Sequence, residues 1–177
     1  LDGAAITDTA TITFTVGAAD PTNGNTTLVA APTSVVADGA TTSSVTVTLA
    51  DANGNLLTAS GGTVALSSTG SATIGAVTDN GNGTYTATVT NTVAESVTIS
   101  GTLDGAAITD TATVTFTVGA ADPTNGNTTL VAAPTSVVAD GSTTSSVTVT
   151  LADASGNLLT ASGGTCLLYT SPSPRDG

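Results

Sequence analysis

The chain lacks most of the side chains on which enzyme chemistry and nucleic-acid binding depend. Its 177 residues include no His, no Met, no Trp, one Cys and one Lys or Arg, against 13 acidic residues, and the formal net charge is −12. Without His, a nucleophilic triad has no usual base. Without cations the chain cannot neutralise phosphates, so neither nucleic acid nor an anionic membrane surface is expected as a partner. The acidic excess favours solubility over the alternative, an acidic surface that binds a basic partner or cations.

Long apolar stretches are also missing. No segment approaches the ~20 apolar residues of a membrane helix, so direct membrane insertion of this segment is not expected. The residues from Leu1 onward have neither the basic nor the apolar region of a signal peptide. We therefore expect the natural start, the secretion signal and any anchor to lie outside this sequence.

An internal repeat dominates what is present. Residues 1–63 recur as residues 103–165, an offset of 102, with three differences. The differing pairs are Ile12 and Val114, Ala40 and Ser142, and Asn53 and Ser155. This period exceeds the roughly 20–45 residues of a solenoid repeat and suits one independently folding β-sandwich of about 100 residues.

The linker composition sets the frame of the repeat. Residues 17–25 are crowded with Gly, Pro and Asn, show no apolar alternation, and recur as residues 119–127. The predicted order is the last strands of a preceding repeat, a linker, one complete domain, a second linker and the first part of the next repeat. The corresponding ranges are 1–19, 20–25, 26–121, 122–127 and 128–165.

The end of the chain breaks the repeat. After Thr165 the second copy departs from the first, and residues 166–177 hold the only Cys and the only Arg. This segment resembles a translated sequencing adapter, so we interpret residues 166–177 as a non-biological tail, with a natural C-terminal tail as the alternative. On this interpretation Cys166 is neither a reactive thiol nor a disulfide partner.

Apolar residues that alternate with Thr predict β-strands throughout the repeat. The predicted strands are 27–30, 34–37, 45–49, 64–67, 72–74, 84–90, 97–101 and 111–118. Because each longer strand has one apolar and one polar face, antiparallel sheets packed on one side are expected. The predicted fold class is all-β, with tandem immunoglobulin-like Greek-key β-sandwiches, one complete and two partial.

Carboxylates are the remaining catalytic candidates. Asp104 and Asp110 flank a predicted hairpin, and carboxylate pairs hydrolyse glycosides. Solvated aspartates in turns are far commoner, so no catalytic residue is assigned and the chain is not expected to be an enzyme.

The linkers carry the candidate metal ligands, because oxygen donors suit Ca²⁺. The candidates are Asp20, Asn23, Asn25, Asp122, Asn125 and Asn127. Asp, Asn and Gly also form turns without a metal, and that alternative stays open. A second pattern, Asp51-x-Asn53-x-Asn55, lacks the Gly and the distant Glu of a helix-loop-helix calcium site, and Ser155 replaces its central Asn in the second copy. No other cofactor is predicted.

Three sequence blocks span most of the repeat. They are Pro-Thr-Ser-Val-Val-Ala-Asp-Gly at 32–39, continued by 45–49 and 51–55; Asn-Gly-Asn-Gly-Thr-Tyr-Thr-Ala-Thr-Val at 80–89; and Val-Thr-Ile-Ser at 97–100. In these blocks the chain resembles the bacterial immunoglobulin-like domains of invasin/intimin-type adhesins, although it lacks their Lys and Arg. The resemblance implies an extracellular location on the bacterial surface, with an outer-membrane anchor in a region outside this sequence.

Two functions are compatible with that resemblance. The first is a structural spacer, or stalk, whose partners are the neighbouring repeats of the same chain and which presents a distal adhesive tip. The alternative is a module that itself binds a glycan or host protein. A binding surface usually exposes aromatic or apolar anchors, and each repeat has one Tyr and one Phe to offer, so the spacer is favoured.

Overall fold

The computed structural model describes Gly3 and residues 5–168, which form twelve β-strands and no helix. The strands are β1 (Thr27–Ala31), β2 (Ser34–Val36), β3 (Ser43–Thr48), β4 (Val64–Ser68), β5 (Thr73–Ile74), β6 (Thr78–Asp79), β7 (Thr84–Thr90), β8 (Ser96–Leu103), β9 (Ala106–Ala107), β10 (Ala112–Thr117), β11 (Thr129–Ala133) and β12 (Ser146–Thr150). Within the described part of the chain, no helix is available that could cross a membrane.

The first ten strands form two five-stranded sheets. One has the order β1-β3-β7-β5 with β6 also on β7, and the other has the order β2-β10-β8-β4 with β9 also on β8. The expected antiparallel pairing holds except between β2 and β10, which run parallel with Val35 opposite Phe116. The chain passes from one sheet to the other between β1 and β2, at Pro32 and Thr33. The predicted all-β sandwich is confirmed.

The core lies between the two sheets and follows the predicted alternation. In β10, Ala112, Val114 and Phe116 are buried while the intervening Thr residues are exposed. Thr suits the outer face because its branched Cβ favours extended backbone and its hydroxyl is hydrated. Phe116, Leu49 and Ile99 are the largest fully buried side chains, and burial of a side chain of this size stabilises the fold by roughly 1.5–3 kcal/mol.

The flanking copies fold to different extents. Strands β11 and β12 pair in the register of β1 and β3, with Leu130 opposite Val149. Residues 5–18 form no strand, and Phe14 is 91% exposed whereas its equivalent Phe116 is 2% exposed. The reason is pairing, because β10 lies between β8 and β2 and residues 10–15 have no such neighbours in the described chain. Of the predicted tail, residues 169–177 lie outside the described residues, and Cys166 is exposed.

Candidate functional site at the junctions between repeats

Each linker is hydrogen-bonded along the repeat that follows it. The N–H of Asp20 donates to the carbonyl of Ala50 at 2.8 Å, and Ala19 forms a β-bridge with Asp51. The fully buried Thr26 closes this arrangement, because its hydroxyl donates to the carbonyl of Asp20 at 2.9 Å and accepts from the N–H of Ala50 at 3.1 Å. The linker is therefore fixed to the repeat at several points.

The second linker repeats this geometry. The N–H of Asp122 donates to the carbonyl of Ala152 at 2.8 Å, and Ala121 forms a β-bridge with Asp153. The hydroxyl of Thr128 donates to the carbonyl of Asp122 at 2.9 Å. Since the two linkers lie in different surroundings, the shared geometry follows from the local sequence.

A buried aspartate organises the loop that receives each linker. We call residues 51–57 and 153–159 the aspartate loops. The carboxylate of Asp51, which is 3% exposed, accepts hydrogen bonds from the N–H of Gly17 at 2.9 Å, of Asn53 at 3.0 Å and of Asn55 at 2.9 Å. The side-chain amide of Asn55 donates to both carboxylate oxygens, at 3.0 and 3.2 Å. Hydrogen bonds from Asn55 and Gly17 lower the pKa of Asp51 to about 2.

The equivalent Asp153 is bound in the same way. It is 3% exposed and accepts from the N–H of Gly119 at 2.9 Å and from Asn157. Burial raises the pKa of Asp153, but the hydrogen bonds from Gly119 and Asn157 outweigh burial and lower the pKa overall. Each aspartate thus ties the end of one repeat, at Gly17 or Gly119, to the loop of the next.

The sequence predicts a turn at Asn53-Gly54-Asn55 and offers Asp51-x-Asn53-x-Asn55 as a calcium pattern, but it does not predict the bond from Gly17 to Asp51. The same residue types favour both arrangements, because Asp and Asn accept hydrogen bonds from backbone N–H groups two residues on. The Asn-Gly step that follows Ala52 is the available signal, since Gly54 has a φ of 85° and a turn is required there.

The candidate calcium ligands lie in the linkers and take part in turns. Asp20 Oδ1 accepts from both the N–H and the hydroxyl of Thr22 at 2.8 Å. Asn23 Oδ1 accepts from the N–H of Asn25 at 3.0 Å, and the side-chain amide of Asn25 donates to the carbonyl of Ala52 at 3.4 Å. Asp122, Asn125 and Asn127 repeat these contacts.

Within the described residues, no group of three or more His, Cys, Asp or Glu side chains is arranged to hold a metal ion. This finding concerns His, Cys, Asp and Glu only and does not count Asn oxygens as ligands. The assignment of Ca²⁺ to the linkers therefore stays a prediction. The linker carboxylates and amides sit close to the junction, and their present hydrogen bonds are those of turn formers.

Asp104 and Asp110, the two catalytic candidates, each accept a hydrogen bond from a backbone N–H group. Asp104 Oδ1 accepts from the N–H of Thr63 at 2.8 Å, next to the start of β4. Asp110 Oδ2 accepts from the N–H of Leu28 at 2.9 Å, in β1. Each therefore fixes a different strand.

Tyr85 anchors a loop from within the core. Its side chain is 3% exposed, and its hydroxyl donates to the carbonyl of Gly62 at 2.7 Å and accepts from the N–H of Gly61 at 3.1 Å. The ring thus packs in the core while the hydroxyl holds the segment that leads into β4.

The chain matches a protein-family model and several solved structures. Residues 20–119 and 124–175 match the family model described as invasin, domain 3. The structure of invasin, described as a bacterial integrin-binding protein, is 30% identical and has a TM-score of 0.65, and the match covers 83% of this chain and 29% of invasin. Yersinia pseudotuberculosis InvD is 38% identical with a TM-score of 0.57, over 77% of this chain and 39% of InvD.

A third solved structure gives the same result. The Escherichia coli adhesin FdeC is 29% identical with a TM-score of 0.56, and the match covers 79% of this chain and 43% of FdeC. The chain thus spans less than half of each of these three structures. No curated protein sequence matches this chain significantly.

The sandwich and these matches define the class, an immunoglobulin-like module of bacterial adhesins. The chain belongs to the invasin domain 3 family. This is a family of structural and binding domains and not of enzymes. Its relatives are surface-exposed bacterial adhesins.

Proposed function

We propose that this repeat is a structural spacer of a bacterial cell-surface adhesin, which holds a distal binding domain away from the cell. The observation that carries the proposal is the burial of both aromatic side chains of the complete repeat. Tyr85 is 3% exposed and Phe116 is 2% exposed. Protein-binding hot spots are enriched in Trp, Tyr and Arg near the centre of an interface, and residues 26–121 present none of these at the surface.

The exposed apolar side chains of the repeat support the same function. Those that are large are aliphatic, and they lie on separate elements: Val29 in β1, Val36 in β2, Leu56 in the first aspartate loop and Val93 after β7. Apolar residues that are exposed singly are normal on soluble proteins and do not by themselves form a binding patch.

The bonded linkers also support a spacer. A stalk keeps its tip far from the cell only if the linkers between its domains resist bending. A flexible linker would let the domains fold back on each other. Here Asp20 and Asp122 are each tied through their backbone to the following repeat.

In this proposal the chain contains one complete module, two linkers and parts of two flanking repeats. Residues 26–121 form the module, residues 20–25 and 122–127 are linkers, and residues 1–19 and 128–165 belong to flanking repeats. Residues 166–177 are a non-biological tail. The adhesin is held in the outer membrane through a region outside this sequence.

A binding measurement on residues 1–165 tests the spacer against a ligand-binding module. The spacer predicts no saturable binding to a glycan array, to purified host surface proteins or to cultured host cells. Invasin, described as integrin-binding, serves as the positive control on the host cells. Saturable binding that is competed by unlabelled residues 1–165 would contradict the proposal and establish the ligand-binding alternative.

A further inference from the structure

One carboxamide makes two hydrogen bonds from the following repeat to the complete repeat. Asn157 Oδ1 accepts a hydrogen bond from the N–H of Ala94 at 2.8 Å, and Asn157 Nδ2 donates to the carbonyl of Thr92 at 2.9 Å. Thr92 and Ala94 lie between β7 and β8 of the complete repeat, whereas Asn157 lies in the second aspartate loop. Both bonds therefore cross the junction.

The receiving turn is ordered by its own residues. We call residues 91–95 the β7–β8 turn. Asn91, which is 4% exposed, accepts from the N–H of Val93 at 3.0 Å and donates to Glu95 Oε1 at 2.9 Å. This leaves the N–H of Ala94 and the carbonyl of Thr92 available to one partner that can both accept and donate.

Asn157 is such a partner, and it too is held in place beforehand. Its Nδ2 donates to both oxygens of Asp153, at 3.2 and 3.0 Å. A side chain that is already oriented loses less conformational freedom when it binds. A carboxamide presents an acceptor and a donor together, which a carboxylate or an ammonium group cannot do.

The first copy provides an internal comparison. Asn55 occupies the equivalent position and is held by Asp51 with the same distances, 3.2 and 3.0 Å. Asn55 is exposed, whereas Asn157 is half-buried. Since the neighbouring sequences are otherwise alike, the difference in exposure follows from the β7–β8 turn, which contacts the second loop. No described residue makes the equivalent contact with Asn55.

The one sequence difference between the two loops leaves this surface intact. Asn53 and Ser155 contribute their backbone N–H to the aspartate at 3.0 Å in both copies. The residues that bind the turn, Asn55 and Asn157, are the same type.

We propose that each aspartate loop is a docking surface for the β7–β8 turn of the preceding repeat, and that Asn55 and Asn157 fix the angle between neighbours. The occupant is another copy of the same repeat. The contact joins two different surfaces, so it is heterologous and repeats with a constant rotation. A series of repeats then forms a rod of fixed twist. This inference deepens the proposed spacer function and rests on it for its biological use.

Amide hydrogen exchange in the full 177-residue chain tests the contact. In the Asn157→Ala variant the N–H of Ala94 loses its acceptor, and its exchange is expected to accelerate about tenfold. The matched control is Asn55→Ala, which loses the equivalent bonds to Asp51 but no bond across a junction, and should leave Ala94 unchanged. Exchange of Ala94 at the wild-type rate in both variants would overturn the proposal.

A second variant and a second readout separate docking from folding of the second copy. Asn157→Gln keeps the carboxamide but displaces it by one methylene, so β12 should stay protected while Ala94 exchanges faster. Residual dipolar couplings of the complete repeat and of the β11–β12 pair should fit one alignment tensor in the wild type and two in this variant. A wild-type chain that already needs two tensors contradicts a fixed angle. That result leaves the spacer function standing, because the binding measurement decides the spacer function independently.

Discussion

At the scale of the residue, the repeat depends on carboxylates that accept several hydrogen bonds each. Asp51 accepts from three backbone N–H groups and one side-chain amide, and Asp38 accepts from Ala40 and Thr41. Charge-assisted bonds of this kind favour the ionised form of the carboxylate. The stability of the repeat is therefore linked to pH.

The sign of that linkage follows from the lowered pKa values. Asp38 and Asp51 each have a pKa of about 2 in the fold, against about 3.9 in an unfolded chain. Their contribution is thus fully present above pH ~4 and is lost as the pH falls towards 2. We expect the melting temperature to be level from pH 7 to 5 and to fall steadily below pH 4. An Asp51→Asn variant should show a shallower fall, and an unchanged profile in that variant would contradict the assignment.

Tyr85 permits a test that removes two hydrogen bonds and little else. In Tyr85→Phe the carbonyl of Gly62 and the N–H of Gly61 lose their partner, and we expect the free energy of unfolding to drop by about 1–2 kcal/mol. Urea denaturation measures this change. A loss below a few tenths of a kcal/mol would show that the hydroxyl is not needed to hold the loop before β4.

At the scale of the element, the chain contains a strand and its unpaired copy. Residues 10–15 and β10 differ only by Ile12 in place of Val114, yet only β10 is paired and buried. Strand formation here depends on neighbours and not on local propensity, as is usual for β-structure.

The equivalent residues Phe116 in β10 and Phe14 in residues 10–15 allow the same substitution to be compared in a buried and an exposed copy. Phe116→Ala removes a buried ring and should lower the free energy of unfolding by about 3–5 kcal/mol. Phe14→Ala makes the same change in the exposed copy and should alter stability by less than about 0.5 kcal/mol. Denaturation of both variants checks this. A comparable loss in both would mean that the first copy is packed in solution.

The longer strands could be predicted because their alternation is strong. Strands β3, β7, β8 and β10 all have an apolar and a Thr-rich face, and each prediction is correct to within a few residues. Two short strands were not predicted. Thr78–Asp79 and Ala106–Ala107 have two residues each, too few to show a period. The parallel pairing of β2 depends on a crossing between sheets, which no local pattern encodes.

The junction was less predictable than the fold. Composition predicts the linkers, but the bond between Asp20 and Ala50 depends on backbone geometry and leaves no mark on side-chain types. The role of Asn157 depends on a contact between residues 63 positions apart. The sequence shows the Asn at this position in both copies without showing what it binds.

At the scale of the whole molecule, the calcium prediction for the linkers can be decided by one titration. If Asp20, Asp122 and the neighbouring Asn residues bind Ca²⁺, millimolar Ca²⁺ should raise the melting temperature relative to chelator, because a ligand that binds only the folded state stabilises it. An Asp20→Asn, Asp122→Asn double variant should lose that response. An identical melting temperature in Ca²⁺ and chelator would reject the metal and leave the turn interpretation.

A spacer acts through its length and not through its surface. The test is host-cell adhesion by bacteria that carry the adhesin. In these bacteria the 102-residue repeats are replaced by the same number of unrelated β-sandwich domains. A spacer predicts that adhesion is retained after replacement and declines when repeats are deleted without replacement. Loss of adhesion on replacement at equal length would contradict the account, because it would show that the surface of the repeat itself is required.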